Sequence, residues 1–443
     1  MRYPAYPEYK ESGVQWLGQV PGHWEVKRLK MTAHLNDKKV EPTRITVPYI
    51  GMENIESWTG KLLPIDPDIV PSGVANRFTA ENTLFGKLRP YLAKACNPGF
   101  DGLCSTELLV IESEDFDRRA LLYWLLTDGF IKLVDSSTYG SKMPRANWDF
   151  IGNCLLPIPP LPEQTAIADF LDRETGRIDT LVAKKRRLIA LLKEKRTALI
   201  SRTVTRGLSG DAAREFGLEP HTRFKDSGIE WLGQVPEGWV IKRLSYMALL
   251  KSGEGITSEQ IAEGGDYPVY GGNGLRGHFS SHTHEGTYIL IGRQGALCGN
   301  INYAYGKFWA SEHAVVVNPL NSFEVKWLGE LLRAMNLNQY SVSAAQPGLS
   351  VSQIGALKIP VPPLKEQTAI ATYLNRETAK LDRLVEKVET AIARLQEYRT
   401  ALITAAVTGK IDVREAVDRV DQMDGLGGVG RVDDVKLEVG CGG

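Results

Sequence analysis

His282 and His284 form a His-x-His pair in a polar loop, but a metal site needs three or four ligands and this stretch offers two. Glu324-Val325-Lys326 has the acid–lysine spacing of a metal-dependent nuclease, yet no acidic partner is placed before it. Asn97-Pro98-Gly99-Phe100 resembles the short aromatic loop with which an enzyme grips an extruded base. Here glycine follows the proline and no cofactor-binding turn precedes it, so the segment reads as an ordinary turn. Asn318-Pro319 leads to nothing similar. The glycine-rich run GLGGVG, Gly425 to Gly430, follows no strand, and no G-x-x-x-x-G-K phosphate loop is present. The expectation is a chain that is not an enzyme, with no catalytic residues, no metal site and no cofactor site of its own.

Composition sets the frame for those absences. The 443 residues carry 53 basic and 53 acidic side chains, so the formal net charge is zero. A 43% apolar and 24% charged chain of this length suits a globular protein of two or three domains. Zero net charge leaves nucleic-acid binding open, because a basic face can be balanced elsewhere. Cys96, Cys104, Cys154, Cys298 and Cys441 are few and odd in number, with no C-x-x-C pair. That fits a reducing cytoplasm rather than a disulfide scaffold. The start, MRYPAYPEYK, has no signal-peptide pattern, and no apolar run is long enough to span a bilayer, so a cytoplasmic location is expected.

The chain is written twice. SGVQWLGQVPGHWEVKRL from Ser12 returns as SGIEWLGQVPEGWVIKRL from Ser227, an offset of 215 residues (227 − 12). PPLPEQTAIADFLDRETGRIDTL from Pro159 returns as PPLKEQTAIATYLNRETAKLDRL from Pro362, an offset of 203 (362 − 159). Each half has a leading segment, a variable segment, a proline stop and a long helix. This period is far above the 20–50 residues of a solenoid and predicts a pseudo-two-fold tandem duplication.

Both helices are strongly signalled. Pro162 suits a first helical position, and Glu163 and Glu366 oppose the dipole in the first turn. Steps of four and three pick out Ile167, Leu171, Ile178, Leu181, Leu188, Leu192 and Leu199. Their copies are Ile370, Leu374, Leu381, Leu384, Ala391, Leu395 and Leu402. This is a coiled-coil seam, interrupted at Glu174 and Glu377, with glycine stops at Gly207 and Gly409. A helix of some 40 residues is a rod of roughly 60 Å. Antiparallel pairing of the two copies would put the variable segments at opposite ends. The basic run Lys184-Lys185-Arg186-Arg187 reads as a solvated helix face, with a phosphate track as the other possibility. Trp16, Leu17, Val20, Trp24 and Leu29, with their copies Trp231, Leu232, Val235, Trp239 and Leu244, form either a clasp against the coiled coil or a partner contact.

The variable segments, near residues 30–155 and 245–357, read as short strands and turns with one helix each. These helices are RRALLYWLLTDGFIKLV, with Leu121, Leu122, Leu125 and Leu126 facing inward, and VKWLGELLRAMNLNQY. The fold class is α+β: two α+β domains separated by an antiparallel two-helix coiled coil. Expected boundaries are 1–160 for the first domain with its leading segment, 161–207 for the first helix, and 208–361 for the second domain with its leading segment. Residues 362–410 form the second helix, and 411–443 a weakly ordered tail without a core face.

Several motifs together resemble the specificity subunit of a type I restriction–modification system. They are P-P-L-x-E-Q-x-x-I-A in both halves, YIGMENIES at Tyr49 to Ser57, LFGKLRPYL at Leu84 to Leu92, CSTELLV at Cys104 to Val110 and KMPRANWDF at Lys142 to Phe150. YGGNGLRG at Tyr270 to Gly277, LIGRQGALCGN and KFWASEHAVV extend the match through the second half. The resemblance implies two target-recognition domains, each reading one half of a split double-stranded DNA target. It implies a coiled coil that sets the spacer and docks two modification (methyltransferase) and two restriction (endonuclease/translocase) subunits. S-adenosylmethionine, ATP and Mg are then expected in those partners, and no membrane is involved. The other reading is a stand-alone coiled-coil DNA-binding regulator without methyltransferase partners.

With DNA as the implied ligand, its contacts fall on polar loops, where arginine suits guanine edges, asparagine suits adenine edges, and lysine mostly neutralises phosphate. The candidates are Arg77, Lys87, Arg89, Ser141, Lys142, Arg145 and Asn147 in the first domain. In the second they are Asn273, Arg276, His278, Arg293, Gln294, Gln346 and Ser350.

Overall fold

A computed structural model describes residues 3–41, 47–66, 69, 73–113, 116–140, 142–295, 297–341 and 348–416. The chain divides into two compact units, Met1–Lys184 with Thr390–Gly443, and Lys185–Glu389. Most of the tail lies outside the described residues.

The first unit holds two four-stranded sheets. In one, Lys39–Val40, Ala75–Phe78, Gly102–Cys104 and Tyr49–Ile50 lie side by side. In the other the order is His34–Asn36, Leu108–Glu112, Thr83–Gly86 and Ala95–Cys96. The single helix expected over residues 118–134 is two, α1 (Arg118–Leu125) and α2 (Asp128–Ser136). Thr127 breaks them apart: it is fully buried and its hydroxyl donates to the Trp124 carbonyl, and side chains of this kind compete with helical hydrogen bonding. Leu122 is only half-buried, so three of the four expected leucines face the core. The short helix α3 (Trp148–Ile151) leads to the strand Leu155–Ile158 and then to the long helix α4 (Leu161–Arg206).

In the second unit α5 (Gly210–Glu215) precedes a six-stranded sheet ordered Ala248–Ser252, Ala314–Pro319, His284–Gly292, Ile301–Ala310, Tyr267–Gly271, Gly274–Phe279. Helix α6 (Val325–Ala334) covers it, α7 (Val351–Ala356) follows, and the second long helix α8 is Leu364–Val407.

The repeated motif does the same work in both units. Gln164 accepts from the Asp117 N–H at the start of α1 and donates to Pro159 O, at 2.8 and 2.9 Å. Gln367 accepts from the Glu324 N–H at the start of α6 and donates to Pro362 O, at 3.0 and 2.9 Å. One amide thus ties each long helix to its domain helix and to the proline turn. The buried carboxylate beside it anchors the leading segment. Glu163 accepts from Tyr6 Oη and pairs with His23, while Glu366 pairs with His221 and accepts from Trp239 Nε1. The leading segment also clasps the end of α8 in the first unit: Tyr9 Oη donates to Gly409 O, and Trp24 is buried there. A side chain at Gly409 would strike Pro21 at 2.3 Å, and its φ of +73° also favours glycine. Ile411 and Val413 are buried in the same core, so the packed chain continues past the expected boundary at 410.

The long helices pair antiparallel within each unit. In the first, Asp179 bonds Arg399. In the second, Arg196 bonds Asp382, and Gly207 closes against Glu366. Ile167, Leu171, Ile178, Ile370, Leu374, Leu381 and Leu402 are buried as expected, and Leu192, Leu199 and Leu395 are half-buried. Leu181, Leu188 and Leu384 are not seam residues; all three are exposed. After Leu171 the buried face steps to Thr175, Ile178 and Val182, and after Leu374 to Thr378 and Leu381, with Val385 half-buried. Threonine holds the position assigned to glutamate, so Glu174 and Glu377 sit beside the seam and bond arginine and lysine.

Candidate nucleic-acid interface

The end of a central strand is trapped in the same way in both units. In the first, Leu108 pairs with Gly86 across the sheet. The next residue, Lys87, donates its N–H to Glu107 O (2.9 Å) and accepts from the Ala146 N–H (3.0 Å). In the second, Ala314 pairs with Gly292. Arg293 then donates to His313 O (3.0 Å) and accepts from the Leu349 N–H (3.0 Å). Three distant segments thus form one rigid backbone frame, and the residues at its corners are Lys87/Arg293, Leu88/Gln294, Glu107/His313 and Arg145/Gly348. The bridges Leu88–Arg145 and Gln294–Gly348 repeat as well.

Into the first frame come Lys87, Arg89, Arg145 and Asn147, with exposed Lys142 in the adjoining loop. Arg89 has a left-handed backbone (φ 50°), and its N–H donates to Pro144 O. Arg145 is gripped by Glu107, which accepts from Nε at 3.1 Å and from Nη2 at 3.0 Å. That carboxylate raises the arginine's affinity for its proton. Asn147 is the N-cap of α3, its Oδ1 accepting from the Phe150 N–H at 2.8 Å. Arg77 is exposed on the strand Ala75–Phe78, in the other sheet, and is not part of the frame.

In the second frame Arg293 donates to Ser252 Oγ (3.2 Å) rather than pairing with a carboxylate. Gln294 Oε1 faces His313 Nδ1 at 3.2 Å. Asn273 joins the loop through Asn300, whose Nδ2 donates to its Oδ1. Ser350 is the N-cap of α7, with Gln353 completing a capping box. Arg276 and His278 lie on the edge strand Gly274–Phe279; Arg276 is exposed and His278 faces Glu263 O. Ser141 and Gln346 lie outside the described residues.

Sequence reasoning missed Glu107, His313 and Tyr139. Tyr139 is 61% exposed and exchanges both backbone hydrogen bonds with Arg145, at 3.0 and 3.1 Å. Its signal was an aromatic residue in a polar loop. Glu107 and His313 each lie just before a strand, in variable segments that the sequence reads only as short strands and turns. His284 stacks on Phe308, with burial lowering its proton affinity, and His282 lies against Tyr267. Among the described residues no group of three or more His, Cys, Asp or Glu side chains is placed to hold a metal ion. Among them, too, no helix is long and apolar enough to cross a membrane.

The family model described as the type I restriction modification DNA specificity domain matches twice, over residues 23–189 and 236–394. The chain belongs to this family. Both frames lie inside the matched regions. The EcoprrI specificity subunit of Escherichia coli is 40% identical over 159 residues, 34% of this chain and 40% of that protein. The chain thus aligns with about two fifths of that relative's length. The MjaVIII specificity subunit of Methanocaldococcus jannaschii is 23% identical over 92% of this chain and 97% of that protein. A chain from a solved structure on complex assembly and conformational transition of the type I R-M system covers 88% of this chain with a TM-score of 0.63 and 21% identity. That likeness shows a shared fold over most of this chain and 98% of that one. Membership does not favour the stand-alone regulator.

Since Asn147 and Ser350 spend their side-chain acceptors on helix caps, Asn147→Ala should lower stability by about 1 kcal/mol. A thermal melt would show it, and the DNA sequence preferred by the specificity subunit should stay the same.

Proposed function

We propose that this chain is the DNA-reading subunit of a type I restriction–modification complex, each unit reading one half of a bipartite double-stranded target. The observation that carries this is the repeated frame: one backbone arrangement, two different sets of side chains. That is what a protein needs if it reads two unlike half-targets by one mode of docking. Base edges are read by side chains held at fixed positions, and phosphate contacts set register. The exposed Lys142 and Arg89 suit the second role. The paired helices set the spacing between the half-targets. They dock two modification and two restriction subunits, and the exposed Leu181 and Leu384, 203 residues apart (384 − 181), offer equivalent apolar contacts to two copies of a partner. Methyl transfer from S-adenosylmethionine and ATP- and Mg-dependent cleavage belong to those partners in the cytoplasm; this chain has no catalytic role.

The test is the methylome of the native host with and without this chain. A split, adenine-methylated motif should vanish on deletion. An unchanged set of methylated motifs would overturn the reading.

A further inference from the structure

The two frames differ in the residues that can address a base. In the first unit the Arg145 backbone is fixed by its paired hydrogen bonds to Tyr139. Its guanidinium is fixed by Glu107, through Nε and Nη2. Among the described residues no hydrogen bond takes Nη1, so the far edge of the guanidinium is open. An arginine with one edge on a carboxylate and the other edge free has lost its side-chain freedom before any ligand arrives. That free edge carries two N–H groups at the separation of guanine O6 and N7.

In the second unit the position of Arg145 is Gly348, and nothing projects from it. The position of Glu107 is His313, and that of Leu88 is Gln294. His313 Nε2 lies 3.0 Å from a Glu312 carboxylate oxygen. Its Nδ1 lies 3.2 Å from Gln294 Oε1 and holds one edge of the amide. The outer edge of the amide keeps an N–H and a carbonyl lone pair. That is the donor–acceptor pair that adenine N7 and N6 require.

We propose that the pairs Glu107–Arg145 and His313–Gln294 determine specificity: Arg145 reads a guanine in one half-target and Gln294 an adenine in the other. Glu107 and His313 are positioning residues. This rests on the reading of the chain as a DNA-recognition subunit. It also explains why one frame serves two half-targets, since only its corner residues change.

The experiment is allelic replacement in the native host, with the methylated motif sequenced for wild type, Arg145→Gln, Glu107→Gln and Gln294→Glu. Arg145→Gln should change or relax one guanine position in one half, by about 10- to 100-fold in discrimination. Glu107→Gln should relax that same position, and Gln294→Glu one adenine position in the other half. A motif that depends on the chain but keeps the same bases in all three variants overturns the inference alone. The absence of any chain-dependent motif in wild type overturns the functional reading, and this inference with it. If Arg145→Gln silences modification, the near-isosteric Glu107→Gln and Gln294→Glu decide. Relaxation confined to one position supports the inference, whereas an even loss across the whole motif marks a merely structural contact and overturns it.

Discussion

Arg399→Ala should destabilise the first unit by about 3–5 kcal/mol, while the repeat-related Arg196→Ala should cost less than about 1 kcal/mol. The two arginines are copies 203 residues apart (399 − 196), and so are their partners Asp382 and Asp179. Their surroundings differ. Arg399 and Asp179 are 7% and 14% exposed, against 33% and 58% for Arg196 and Asp382. Arg399 bonds Asp179 at 3.1 Å and also donates to the Trp58 and Thr59 carbonyls, each at 2.9 Å. Trp58 has a positive φ of 66°, an uncommon backbone for a bulky residue, and this arginine pins the turn that contains it to the helix. Without Arg399 two carbonyls lose their donor, and among the described residues Asp179 keeps only Lys61, itself half exposed. Among the described residues Arg196 has one side-chain bond, 3.0 Å long, in solvent. Urea unfolding of the two variants gives the comparison, and similar small losses in both would refute the burial argument.

Much of this fold was legible because duplication is legible. A repeat of this length needs no propensity scale, and the helices carried proline starts and glycine stops. The seam was legible except in its middle, where the sequence pattern points to leucines at the buried positions. The structure exposes Leu181, Leu188 and Leu384 and turns Val182, Ile189 and Val385 inward, because the helix steps four and four from Ile167 to Thr175 before the threes begin. Side-chain type alone does not choose between adjacent apolar residues; the partner helix does. In the candidate site the basic residues were legible as polar loops, and Asn147 and Ser350 carried the local signature of helix caps. Glu107 was not, since its relation to Arg145 spans 38 residues (145 − 107) and exists only once the sheet has formed.

A chain cut after Pro220 should form a homodimer. The cut keeps the first domain, all of α4, and Leu208, Ala212 and Ala213, which are buried beside it. It removes α8, the partner of α4 in both units. Leaving Ile167, Leu171, Ile178 and Val182 wet is unfavourable, since each large aliphatic side chain gains roughly 1.5–3 kcal/mol on burial. A second copy supplies the missing surface. Arg196 of one copy stands where Arg399 stood and reaches Asp179 of the other, and Leu208 stands where Ile411 stood (411 − 208 = 203). Repeated twice, these contacts close a two-fold dimer. One mismatch is built in, because Val388 is replaced by Lys185, so the homodimer should be less stable than the native pairing. The burial contrast between the two arginines then reverses. Arg196 of each copy now enters the site lined by Asp179, Trp58 and Thr59, so Arg196→Ala, mild in the full chain, should dissociate or unfold the half-chain. Light scattering gives the mass. Selection from a random DNA pool, with the modification partner present, should return an inverted repeat of one half-target. A folded monomer, or selection of the original asymmetric target, would show that the repeated helices are not a pairing device.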